Sequence, residues 1–132
     1  MADTFPANAN ILLLISDPLM RTILHETLER AGYLVVSAGD VGSAVDRVKE
    51  LRPDLLIIRP YVASMPGHMA AQHLRTLRPG LPVMMVTGYM DDQRVREQHE
   101  LREYYMFPKP YTKDEFLTNV KDVLRTSHEK GR

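Results

Sequence analysis

Five short apolar runs alternate with segments of helical period along this chain, and that rhythm restricts its fold more than any other feature. The runs are Ile11 to Ile15, Tyr33 to Ser37, Leu55 to Arg59, Val83 to Thr87 and Tyr104 to Phe107. Those in the middle read as continuous Leu, Ile, Val and Met, the pattern of parallel strands covered on both faces.

Between the runs, helix boundaries are marked by their own chemistry. A capping acid and a proline at Asp17-Pro18 start a helix that reaches Ala31 and is stopped by Gly32, with Leu19, Ile23, Leu24 and Leu28 as its expected buried stripe. Asp40 is the expected N-cap of a second helix burying Val41, Ala44, Val45, Val48 and Leu51 and ended by Pro53. A third is expected over Met69 to Leu77, closed by Pro79 and Gly80. A fourth, Asp91 to Leu101, carries only Val95 and Leu101 as aliphatic residues and should dock weakly. The last opens on a capping box, Thr112 with Glu115, and should bury Phe116, Leu117, Val120, Val123 and Leu124.

Strand and helix in alternation, joined by right-handed crossovers, give a parallel sheet with helices on both faces. The expected architecture is α/β: a three-layer sandwich with a five-stranded sheet in the flavodoxin-like order 2-1-3-4-5. In such sheets the functional crevice lies beyond the C-terminal strand ends, between strands one and three. Ser16, Asp17, Arg59, Thr87 and Lys109 should converge there.

At 132 residues the chain suits one domain, expected over 10–126 with flexible flanks at 1–9 and 127–132. Seventeen basic residues balance seventeen acidic ones, which gives no pull toward nucleic acid or an anionic membrane. The absence of cysteine excludes disulfides, thiolate nucleophiles and Cys-ligated metal centres. No apolar run approaches a membrane span and no export signal opens the chain, so a cytoplasmic location is expected. The five histidines are scattered, without zinc-ligand spacing or a nucleophile motif, and Gly39 and Gly42 do not make a phosphate loop.

The motifs, taken in order, resemble the receiver domain of bacterial two-component response regulators from about Asn10 to Arg125. ILLLISDPLMRTILHETLERAGYLVVSA is similar to a receiver's first strand, first helix and second strand. RPDLLIIRP is similar to the third strand with its phosphoacceptor position, PVMMVTGY to the fourth with its switch Ser/Thr, and FPKPY to the fifth with its lysine. The resemblance implies that an acceptor aspartate belongs where Arg59 stands, and a magnesium-binding acidic pair where Ile15 and Ser16 stand; only the adjacent Asp17 is acidic. An arginine cannot form an acyl phosphate. A guanidinium about 6 Å from a divalent cation, at an effective dielectric of about 20, opposes it by roughly 5 kcal/mol. Weak or absent magnesium binding and no other cofactor or metal are therefore expected. Transfer to Asp54 is disfavoured, because that residue precedes the buried strand at the opposite edge of the sheet.

Further departures bear on switching. Met65-Pro66-Gly67 comes three residues later than the family's Met-Pro, with Tyr61 to Ser64 in between, and Met106 takes the place of the usual aromatic switch residue. Thr87 and Lys109 are retained, and with Arg59 they could form an oxyanion site, or they could be inherited scaffold, with Arg59 pairing to Asp17. Val95, Leu101, Tyr104, Tyr105, Met106 and Tyr111 gather where receivers dimerise or dock, an expected protein-interaction face. The Lys109-Pro110 bond is cis in many receivers. The resulting expectation is a stand-alone, non-enzymatic receiver-like protein with no attached output domain. It should bind a histidine kinase, another receiver or a copy of itself, with a small-anion module as the alternative.

Overall fold

The computed structural model describes residues 9–63, 65–87, 105–108 and 112–130, with Thr87, 105–108 and 127–130 described as backbone. The chain runs β1 (Asn10–Leu14), α1 (Pro18–Arg30), β2 (Leu34–Ala38), α2 (Val41–Leu51), β3 (Leu55–Ile58), β4 (Tyr61–Val62), β5 (Met65–Pro66), α3 (Gly67–Leu77), β6 (Val83–Thr87), β7 (Tyr105–Pro108) and a C-terminal helix (Lys113–Lys130). The main sheet has the order β2-β1-β3-β6-β7, and every neighbouring pair is parallel.

Alternation along each strand sends successive side chains to opposite faces, and this sheet carries two cores. On one face Leu12, Leu14, Leu56, Ile58 and Met85 meet Ala44 and Val48 of α2 and Ala70, Ala71 and Leu74 of α3. On the other, Ile11, Leu13, Leu55, Ile57, Met84 and Val86 meet α1 and Phe116, Val120, Val123 and Leu124 of the C-terminal helix. The unbroken apolar runs are thus explained by cover on both sides.

Capping follows the local chemistry. Asp17 caps α1 by accepting from the Leu19 N–H at 3.2 Å, and Pro18 stands in its first turn. Gly32, at φ +101°, follows α1 and turns the chain toward β2. Thr112 and Glu115 form the reciprocal box: Glu115 Oε1 accepts from the Thr112 N–H at 2.8 Å, and Thr112 Oγ1 from the Glu115 N–H at 3.0 Å. Asp40 Oδ1 accepts from the Ser43 N–H at 2.8 Å, and that bond holds its carboxyl below the usual carboxylate range. A depressed folded-state pKa contributes stability that is present above the unfolded pKa and lost as pH falls through the folded one. The Asp40 carboxyl carbon should therefore titrate in a 13C NMR series below an ordinary aspartate, and Asp40→Asn should keep the cap while removing that pH dependence. A normal midpoint for Asp40 would mean that the bond does not persist in solution.

Several boundaries and faces differ from expectation. β1 and β2 each lie one residue away from the runs read in the sequence, and β3 stops at Ile58, before Arg59. Ala9, expected in a flexible start, is buried, and its carbonyl accepts from the Leu34 N–H at 3.0 Å. The C-terminal helix continues through Ser127 to Lys130, into the stretch expected to fray. In α1 the buried row is Met20, Leu24 and Leu28, whereas Leu19 and Ile23 are 69% and 53% exposed. The apolar set of α1 is wider than the stripe it buries, and the i, i+4, i+8 row through Met20 faces the sheet. In α2, Leu51 is likewise exposed and Val41 and Val45 are partly buried. The expected weak helix over Asp91 to Leu101 lies outside the described residues.

Candidate functional site

At the C-terminal edge of β1, Ile15 is fully buried and its N–H donates to the Ala38 carbonyl of β2 at 3.1 Å. The Ile15 carbonyl accepts from Arg21 Nη1 at 2.7 Å, and the Ser16 carbonyl from the same nitrogen at 3.3 Å. Arg21, one turn into α1, thus reaches back over the strand end. It passes beside Gly39, where a Cβ would stand 2.8 Å from Arg21 Nη1 and make the guanidinium shift.

Ser16 is half-buried, and its hydroxyl accepts from the Ala63 N–H at 3.2 Å. This ties β1 to a segment that reads as a loop in the sequence. It is a small antiparallel hairpin, β4 on β5, in which Tyr61 faces Pro66 and Val62 faces Met65. Val62 is buried in the core, while Tyr61 and Met65 point outward. Ala63 lies in the turn at φ +55°, a left-handed conformation uncommon for a residue with a side chain. The extra residues after β3 are absorbed in this hairpin, and the chain returns so closely that the Gly67 N–H donates to the Pro60 carbonyl. A Cβ on Gly67 would sit 2.1 Å from the Arg59 carbonyl oxygen. Only glycine allows that approach.

Arg59 follows β3, which lies between β1 and β6, so it stands at the switch point of the sheet. It is half-buried, and its Nη1 donates to Met20 Sδ at 3.4 Å. The expected Arg59–Asp17 ion pair is not among the contacts of the described residues. Asp17 caps α1 through the Leu19 N–H, and Arg59 reaches α1 at Met20, whose sulfur is one of its partners. Both nonetheless line one cavity of about 370 Å³, with Met20, Leu24 and Phe116 as its buried apolar wall.

Ser16, Asp17 and Arg59 are therefore gathered at one sheet end. Thr87 ends β6 at the same edge, its backbone in register with Pro108 of β7. Lys109, the Lys109-Pro110 bond, Val95, Leu101, Tyr104 and Tyr111 lie outside the described residues, and Tyr105 and Met106 are placed as backbone on β7. Asp54 is held at the other end of the sheet, where its Oδ2 accepts from the Asn10 N–H at 2.8 Å. Among the described residues no three acidic or histidine side chains gather around one point. His25 instead links α1 to β2, hydrogen-bonded through Nδ1 to Ser37 Oγ and with Nε2 3.2 Å from Glu29 Oε2.

Arg21 and Met20 are the site residues that sequence reasoning missed. No signal along the chain marks either, since both contacts are made across the fold.

Similarity to known proteins agrees with this arrangement. The response regulator receiver domain model matches residues 11–121. The chain is 27% identical over 117 residues to sporulation initiation phosphotransferase F of Bacillus subtilis, covering 89% of this chain and 94% of that one. It is 28% identical over 120 residues to the alkaline phosphatase synthesis transcriptional regulatory protein PhoP of the same organism, covering 91% of this chain but only half of that protein. In structure, the receiver domain of NtrX from Brucella abortus superposes with a TM-score of 0.78 at 20% identity, covering 88% of this chain and 98% of that one. No helix among the described residues is long and apolar enough to cross a membrane. With the sheet order, the two-sided core and the match over most of its length, the chain belongs to the response regulator receiver domain family of two-component signalling.

Proposed function

We propose that this chain is a pseudo-receiver: a five-stranded receiver sandwich that does not accept a phosphoryl group at the usual position and acts by binding protein. The observation that carries this reading is the chemistry of the strand ends. Ile15 is an alkyl side chain sealed in the core, Ser16 is committed to Ala63, and Arg59 brings a cation where the acceptor carboxylate would be. Magnesium wants near-octahedral oxygen ligands that include carboxylate. The donor set among the described residues does not fit it, since Asp17 is the one carboxylate they place at this strand end, and it caps α1.

Its partner is a histidine kinase, another receiver or a second copy, met at the edge of the sheet that β7 forms. The role is non-enzymatic. A second reading, a small-anion module formed by Arg59, Thr87 and Lys109, is favoured by the placement of Arg59 at the sheet end where β6 also terminates. Millimolar phosphate or sulfate should then raise the melting temperature by linkage.

The test of the leading reading is direct. Acetyl phosphate, or beryllofluoride, each with magnesium, should leave the amide NMR spectrum unchanged and add no mass to the chain. Arg59→Asp alone should also remain unlabelled, because the acids of the first strand are missing as well. A phosphoryl adduct on the wild-type chain, or efficient labelling of that variant, would overturn the proposal.

A further inference from the structure

We infer that the outer edge of β2 is a self-association site, at which a second copy of this chain adds its own β2 antiparallel and joins the two sheets into one. β2 borders the main sheet and pairs on one side, with β1. The Leu34 N–H donates to the Ala9 carbonyl, and the Ala38 carbonyl accepts from the Ile15 N–H. Alternation along the strand therefore turns the backbone groups of Leu34, Val36 and Ala38 toward β1 and those of Val35 and Ser37 away from it. Among the described residues no further backbone group meets the outward N–H and C=O of Val35 and Ser37. Native edges are commonly guarded by lysine, proline or a bulge. β2 has none of these: Leu34-Val35-Val36-Ser37-Ala38 is uncharged, keeps unbroken register with β1, and leaves Leu34 52% exposed.

The pattern selects the occupant. Two outward residues separated by one inward residue are matched by the same strand turned about a two-fold axis through Val36. Val35 then exchanges both hydrogen bonds with Ser37 of the second copy, and Ser37 does so with Val35 of the second copy, so every outward donor and acceptor is satisfied. In this register Leu34 comes opposite the small Ala38 and Val36 opposite itself, with no charge on either strand. An unrelated peptide would supply backbone groups without that match of large to small. The two-fold pairing is also closed, so it yields a dimer and not a fibre. β7 forms the opposite edge of the sheet, so this pairing leaves the partner face proposed above open. It does not depend on whether the chain can be phosphorylated.

The experiment follows amide hydrogen exchange of the whole chain by NMR at micromolar and at millimolar concentration, with sedimentation velocity alongside. At the higher concentration a dimer is expected, and the Val35 and Ser37 amides should exchange about tenfold more slowly than at the lower. The Leu34 and Val36 amides, held by β1, should be protected at both. Val36 is half-buried, and Val36→Lys or Val36→Glu would set like charges directly opposite each other at the axis. Each variant should remain monomeric, and their equimolar mixture should restore the dimer. If neither variant folds, the exchange pattern of the parent chain decides alone. A monomer at millimolar concentration would overturn the proposal. So would a dimer in which Val35 and Ser37 exchange as fast as in the monomer, because such a dimer uses another face, and so would folded Val36 variants that stay monomeric when mixed.

Discussion

Ile15→Asp, which puts an acid at the end of β1, is expected to destabilise the domain by about 4 kcal/mol at neutral pH. Ile15 has no exposure and packs with the core face formed by α1 and the C-terminal helix. The substitution removes an alkyl side chain from that core and asks a carboxylate to take its place. The midpoint of urea unfolding should fall with little change in slope. A buried carboxyl has its pKa pushed up, so the neutral acid is the tolerated form and the deficit should shrink as pH is lowered. Ile15→Val, with no polar atom, should cost about 1 kcal/mol and show no such pH dependence. If Ile15→Asp is as stable as the parent at pH 7, the strand end is wet, and the argument against a metal pocket loses its physical basis.

Gly67→Ala should cost about 3 kcal/mol, the upper part of the range for forcing extra volume into a packed site. The added methyl would meet a backbone oxygen, that of Arg59, at 2.1 Å, and the Gly67 N–H is tied to the Pro60 carbonyl, so neither group can swing aside. Relief must come from moving the β4–β5 hairpin. Amide shifts should therefore spread to Ala63 and Ser16, which that hairpin joins. Gly42→Ala is the contrasting case: its nearest neighbour would be an Asp40 carboxylate oxygen at 3.4 Å, and Gly42 lies within α2. It should be neutral or stabilising by up to about 1 kcal/mol, because alanine is the better helix former. Equal behaviour of the two glycine variants would show that the close approach after β3 is not maintained in solution.

The elements legible in the sequence were those set by short-range chemistry. Asp17 with Pro18, Asp40, and the Thr112–Glu115 box each cap a helix because the acceptor and the backbone N–H it satisfies lie within three residues. The central strands were legible because covering both faces leaves no polar position in them. The β4–β5 hairpin was not, since two-residue strands carry no periodic signal and their pairing is decided by where Ser16 and Gly67 hold the chain.

Within the candidate site, the sequence alone determined which side chains are on offer: an alkyl group, a hydroxyl and a guanidinium at the strand ends, and no conformation changes that. Only the tertiary structure decided what these groups do. Arg59 lies against Met20 rather than Asp17, Arg21 covers the end of β1, and Leu19 and Ile23 border a groove rather than fill the core. The reason is that residue type sets what an atom can bond. Among several partners of similar strength, the choice depends on which of them the packed helices and strands bring within reach.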